Sequence, residues 1–190
     1  MSAVEGMRIA RCAIDVREIC VARARGEEFG RRVREHGVPL PDIGHVTVHG
    51  ARLMMCIRPG RYLLLAAPQP DSSAALMPGL WPPDAAPAAV IDLTGGHGAV
   101  LLQGTRRLDV LARGCRLDLD PAHFPVGRAA ATIMVQVPVM LAALPAGLLL
   151  LAPASTARHV HEWLEATARP FGLVPQSSIG MAELCRSSVQ

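Results

Sequence analysis

Histidines, cysteines and carboxylates are the groups that could do chemistry in this chain, and their spacing argues against most reactions. His159 and His161 stand two apart in a helical stretch. Helix residues two apart point to different faces, so one ion could not hold both. They read as exposed or helix-packing histidines. His45 and His49 share a strand face, but strand rise separates them by roughly 13 Å, too far for one metal. The five cysteines (Cys12, Cys20, Cys56, Cys115, Cys185) are scattered, odd in number and form no C-x-x-C pair, and no Cys/His cluster has zinc spacing. The run "TGGHG" (Thr94 to Gly98) lacks the G-x-x-x-x-G-K pattern of a phosphate loop and reads as a turn. Asp118 and Asp120 could pair as carboxylates, yet they alternate with Leu117 and Leu119 in the period of a half-buried strand. Asp92 is the one acid to watch, because it sits beside a tight glycine turn. Its expected role is to accept backbone N–H groups there. The chain contains no lysine, which excludes a Schiff-base or general-base lysine. No residue is therefore assigned as catalytic, cofactor-binding or metal-binding.

The elements that must position these groups are short. Val90, Ile91 and Leu93 form an apolar run broken by Gly95, Gly96 and Gly98; Val100 to Leu102 form a second strand. Thr105 is the expected cap of a helix from Thr105 to Arg113, and Gly114 its left-handed terminator. Earlier, "MRIARCAI" and "EICVARA" read as strands, with a helix from about Gly26 to His36 and Gly37 as terminator. "HVTVHG" and "ARLMMCI" are two strands with a turn at Gly50, and Arg61 to Ala67 is a third. A short helix around Ser72 to Met77 is expected within the Pro- and Ala-rich stretch that follows. The last helix, about Thr156 to Ala168, buries Val160, Trp163 and Leu164. Arg158–Glu162 and Glu165–Arg169 are spaced for surface ion pairs.

Composition narrows the classes further. Hydrophobic residues make up 51% of the chain and aromatics only 3%, so Leu, Val, Ala, Ile and Met must build the core. The net charge of +3 is small, and with so few rings to stack bases nucleic-acid binding is not expected. The arginines from Arg23 to Arg34 interleave with Glu27, Glu28 and Glu35 and read as a solvated helix face. From Ala129 to Ala157 no residue is charged, a length that could span a bilayer. Gln136, Pro138, Pro145 and Gly147 cut it into three strand-length pieces, so three buried strands are expected and no membrane span. The start, "MSAVEGMRIARC", has no continuous apolar segment, so a signal peptide is not expected. A cytoplasmic protein with reduced thiols follows.

The second half repeats the scheme of the first. In each, a strand, a glycine and a helix lead into three strands, the third ending "LLLAAP" (Leu63 to Pro68) or "LLLLAP" (Leu148 to Pro153). Each third strand is followed by a helix-start signal, Asp71 and Ser72 or Ser155 and Thr156. The expected fold is α+β, with internally duplicated β-α-β-β-β-α units (about 7–80 and 88–170), mostly antiparallel sheets and few helices. Residues 174–190 are polar and aperiodic, and are expected to be a flexible tail or an arm that docks on a partner.

The central run resembles the gamma subunit of heterotetrameric sarcosine oxidases. The residues that carry the resemblance are Asp92, Leu93, Gly95, Gly96, Gly104, Leu111 to Cys115, Leu117, Asp118 and Leu119. "RYLLLAAP" (Arg61 to Pro68), "FPVGR" (Phe124 to Arg128) and "ARHVHEWL" (Ala157 to Leu164) are similar to further segments, so the gamma-like domain covers 1–173. Tyr62 stands where the family often has Trp. The resemblance implies an aminomethyltransferase-like (folate-binding) fold and a structural subunit without a cofactor of its own. It also implies alpha, beta and delta partners that carry FAD, FMN, NAD, tetrahydrofolate and zinc. Such a complex oxidises sarcosine to glycine, yielding 5,10-methylenetetrahydrofolate and hydrogen peroxide. The alternative is an independent folate-binding aminomethyltransferase-like protein or assembly factor, although "ARGCRLDL" shares only Gly–Cys with the motif of the folate-dependent iron–sulfur repair proteins.

Overall fold

The computed structural model describes residues 6–35, 39–68, 88–174 and 176–186. The first half supplies β1 (Met7–Arg11), β2 (Asp15–Val21), α1 (Gly26–Glu35), β3 (His45–His49), β4 (Arg52–Arg58) and β5 (Arg61–Ala66). The second supplies β6 (Ala88–Asp92), β7 (His97–Gln103), α2 (Arg107–Leu111), β8 (Ala129–Met134), β9 (Val137–Leu144), β10 (Gly147–Pro153) and α3 (Ala154–Ala168). β11 (Leu173–Val174) and α4 (Met181–Leu184) complete the described chain. The expected helices at Ser72 to Met77 and the terminator Gly37 lie outside the described residues.

Two sheets form, in the orders β3-β4-β5-β2-β6 and β11-β1-β7-β10-β9-β8. Every pairing among these strands is antiparallel except β1 with β11. The class is α+β with mostly antiparallel sheets. Each half lays down the same path: strand, helix, then a three-strand meander whose last member returns beside the first strand. The strand that precedes each unit crosses over. β1 pairs with β7 of the second half, and β6 pairs with β2 of the first. Each sheet therefore needs both halves, and neither half closes its ladder alone.

Four layers result. α1 covers the outer face of the five-stranded sheet, where Phe29 and Val33 meet Ile19, Met54 and Leu64. The two sheets pack face to face through Val16, Leu53, Met55 and Leu65 on one side and Leu101, Leu149 and Leu151 on the other. α2 and α3 cover the far face of the six-stranded sheet, where Val110, Val160 and Leu164 meet Leu102, Leu141, Leu148 and Leu150. A strand buried on both faces has no polar side to show, which explains the unbroken Leu148–Leu151 run. Alternate leucines serve the two cores. The uncharged stretch is divided into β8, β9 and β10, as its prolines and glycine foretell. No helix among the described residues is long and apolar enough to cross a membrane.

Several local expectations are corrected. α2 is shorter than Thr105–Arg113; Arg106, not Thr105, is its N-cap, and no side chain caps it. Gly114 does not adopt a left-handed conformation. It is small because the Trp163 ring packs on it: a Cβ there would lie 2.7 Å from the ring. Leu117 to Leu119 is not a strand, although Leu119 is buried. Asp118 accepts from the Asp120 N–H (3.0 Å) and Asp120 from the Ala122 N–H (2.8 Å), so side-chain bonds to backbone replace a ladder. Glu165 turns to His161 Nε2 (3.2 Å) instead of Arg169, whereas Arg158 Nε does reach Glu162 (2.7 Å).

The described residues of the C-terminal stretch pack against the body of the chain. Ile179 N–H donates to Arg11 O (2.9 Å) and Ala13 N–H to Ile179 O (2.9 Å). Ile179, Met181 and Leu184 are buried in the core between the sheets. Three apolar residues at Ile179, Met181 and Leu184 gave too short a pattern to register as a helix, but suffice to pin a segment once a core edge is open to receive them.

Candidate functional site

The turn after β6 builds a polar constellation around a buried arginine. β2 is an apolar strand that nevertheless carries Asp15, Arg17 and Glu18, and Asp15 and Arg17 are buried. Arg17 Nη1 pairs with Asp92 and donates to Thr94 Oγ1 (2.7 Å). Thr94 N–H donates to Asp92 Oδ1 (2.9 Å), and Val16 N–H to Thr94 Oγ1 (3.1 Å). Asp92 thus does accept a backbone N–H beside its glycine turn. It also neutralises a buried guanidinium, which would otherwise be costly to desolvate. The Thr94 N–H, then the Thr94 hydroxyl, then Arg17 hold its carboxyl below the ordinary carboxylate value.

The sign of the resulting pH dependence is fixed. A carboxyl whose folded pKa lies below its unfolded value, about 3.9, stabilises the fold above that value; the contribution is lost as pH falls through the folded pKa. Asp92→Asn is expected to be less stable than the wild type at neutral pH, with the gap narrowing as pH falls below the unfolded value of about 3.9 and the native carboxyl protonates. Urea midpoints across that range measure it, and a gap that does not change with pH would remove the carboxylate charge as its source.

The same turn walls a cleft of about 410 Å³ between the sheets. Leu93 and His97 line it from the turn; Ile57, Leu63, Ala131 and Met140 supply apolar walls. Its charged end is Glu18, which lies 3.3 Å from Arg61 and 3.8 Å from Arg58. Arg61 also donates to Cys20 Sγ at 2.7 Å. His97 Nδ1 is buried without a hydrogen-bond partner among the described residues. An apolar cleft with a few convergent polar groups suits binding. No nucleophile and base converge here, and the described residues contain no group of three or more His, Cys, Asp or Glu that could hold a metal ion.

A second groove, about 540 Å³, runs between α3 and the β1–β7 pair, lined by Arg11, Cys12, Arg158, His161 and Glu162 among others. Burial pushes the Cys12 thiol up to about 12, so it is no nucleophile. Burial, ahead of the opposing Glu165, lowers His161 and keeps the imidazole neutral.

The residues singled out in the sequence are not brought together. His159 is exposed and His161 buried. His45 Nε2 lies 3.1 Å from Arg128 while His49 is exposed. Asp118 meets His123 at 2.6 Å on the surface. Glu18, Arg58, Arg61 and His97 were missed. The available signal was charge within an apolar strand at Arg17 and Glu18, but its meaning depends on which face the opposite sheet covers.

No protein-family model matches the chain. Sarcosine oxidase subunit gamma of Corynebacterium sp. (strain U-96) is 32% identical over 108 residues, 55% of this chain and 51% of that protein. The match thus spans about half the length of this curated relative. A chain of the heterotetrameric sarcosine oxidase from Corynebacterium sp. U-96, solved in complex with pyrrole 2-carboxylate, superposes with a TM-score of 0.75 at 22% identity, covering 93% of this chain and 90% of that one. The glycine cleavage system aminomethyltransferase T from Bartonella henselae superposes with a TM-score of 0.61 at 15% identity, covering 95% of this chain and 50% of that one. The chain therefore resembles sarcosine oxidase subunit gamma in sequence, and it has the fold that a chain of that heterotetramer shares with aminomethyltransferase T.

Proposed function

We propose that this chain is a structural, non-catalytic gamma-type subunit of a heterotetrameric flavin-dependent oxidase of sarcosine or another secondary amine. The observation that carries the reading is the similarity to a gamma subunit, joined to a fold likeness over nearly the whole chain. In this reading alpha, beta and delta partners carry FAD, FMN, NAD, tetrahydrofolate and zinc, this chain carries none, and the complex works in the cytoplasm. The products are glycine, 5,10-methylenetetrahydrofolate and hydrogen peroxide. The crossed leading strands support a further part of the reading, that residues 7–80 and 88–170 are two copies of one unit.

Native mass spectrometry of the chain co-expressed with the products of its neighbouring genes tests the proposal. Recovery in a complex with a yellow, flavin-bearing partner is the expected result. A stable, colourless monomer would overturn it. The cleft between the sheets, lined by Glu18, Arg61 and His97 among apolar walls, favours a second reading, an independent folate-binding protein. Saturable tetrahydrofolate binding by such a monomer would establish that reading instead.

A further inference from the structure

Residues 104–117 hold four arginines (Arg106, Arg107, Arg113, Arg116) and one acid, Asp109. α2 and the turn after it bring two of these cations to one side chain from the far end of α3. Arg106 Cζ lies 5.1 Å and Arg113 Cζ 5.0 Å from the centre of the Phe171 ring. Asp109 engages Arg106 at 2.6 Å. Arg113 is exposed and has no carboxylate within ion-pair distance among the described residues; the ring is its partner. Half-buried Arg107 donates to Gly104 O (3.0 Å), and its buried Nε has no partner among the described residues. Arg169, exposed, opens the 3₁₀ turn that contains Phe171.

Two guanidiniums share one ring here, and Asp109 offsets the charge of only Arg106, so a net positive charge is left to be met by an acid from outside. Guanidinium forks match carboxylates two bonds at a time. A half-buried aromatic flanked by arginines is also the composition found at the centres of protein interfaces. A nucleic acid is the poorer fit, because the ring is already occupied by guanidiniums and offers little face for a base to stack on.

We propose that the face formed by Phe171, Arg106 and Arg113 docks an acidic segment of a partner polypeptide. The proposal rests on the subunit reading above and names which surface of this chain the partner meets.

The test compares complexes made by co-expressing the full chain with the products of its neighbouring genes. Three forms are used: wild type, the double variant Arg106→Glu/Arg113→Glu, and the control Arg23→Glu/Arg31→Glu on the α1 side. The expected result is a wild-type complex that weakens as salt rises, an unaltered control, and association in the double variant reduced roughly tenfold or more. The neutral variant Arg106→Gln/Arg113→Gln, which should melt with the wild type, is expected to fall between them and guards against misfolding. A double variant that is folded and assembles like the wild type overturns the docking proposal while leaving the subunit reading intact. A wild-type chain recovered alone overturns the subunit reading itself. Binding of a single-stranded oligonucleotide that the double variant loses, with partner assembly unchanged, would assign the face to nucleic acid and overturn the proposal as well.

Discussion

Leu101→Ala is expected to destabilise the fold by about 4 kcal/mol, toward the upper end for buried leucine truncations. Leu101 is fully buried at the centre of β7, where it faces the five-stranded sheet. It lies opposite Ala10 on β1 and Leu149 on β10. Both neighbouring ladders fix the backbone, and the facing sheet is held by its own, so little can move in to fill the void. A loss of that size is a large fraction of the usual 5–15 kcal/mol of a domain. Leu184→Ala removes the same atoms from the same core, but from the short C-terminal segment. Its cost is capped, because the segment can let go once its docking no longer offsets the ordering of its backbone. Urea titration separates the two. Leu101→Ala should shift the midpoint at constant slope. A loss below about 1.5 kcal/mol for Leu101→Ala would mean that the sheets are not tightly packed there.

Gly147→Ala is expected to cost roughly 3–5 kcal/mol, from left-handed backbone strain plus a forced opening of the strand pair. Gly147 starts β10 with φ at +145°. A Cβ there would fall well inside contact of Leu102 O, a backbone atom of β7. The turn is tied down as well, since Gln103 Nε2 donates to Ala146 O (2.9 Å). Neither the dihedral nor the neighbouring strand can relax without breaking the β7–β10 ladder, which joins the two helices' sheet at its middle. Gly50, at φ +56° with open space around it, is the matched control. Gly50→Ala should cost only about 1 kcal/mol, because dihedral strain acts there without a clash. Thermal melts of the pair measure the difference, and equal losses would show that the β7–β10 approach is not limiting.

The two crossed strands also explain why the halves should unfold together. β1 is chemically part of the first half and structurally part of the second sheet; β6 is the reverse. Separating the halves exposes both sheet faces and breaks two ladders.

Much of the secondary structure was legible in the residues themselves. Alternation and apolar runs located β1 to β5 and β7 to β10 because strands of this length are defined by neighbours within a few positions. Gln136 and the Pro145–Gly147 turn mark the breaks in the uncharged stretch, while Pro138 is accommodated near the start of β9. The amphipathic pattern around Val160 and Leu164 set α3 for the same local reason. The run from Asp92 to Leu119 carried the family likeness without reference to any contact.

What the tertiary structure decided depends on groups distant in sequence. The Arg17–Asp92 pair joins residues that only the β2–β6 ladder makes neighbours. Glu18 and His97 become one cleft only when the two sheets face each other. Asp118 and Asp120 formed turns instead of a strand because their own side chains could satisfy nearby N–H groups. Ile179, Met181 and Leu184 became core because backbone groups at Arg11 and Ala13, beside the end of β1, pair with Ile179 and seat the segment against the cluster between the sheets. The sequence by itself determined most of the strands, the helices α1 and α3 and the family likeness, all of which are encoded within a few residues. The exchange of β1 and β6, the burial of the C-terminal segment and the meeting of Arg17 with Asp92 and of Glu18 with Arg61 followed from long-range packing, whose energies no local window contains.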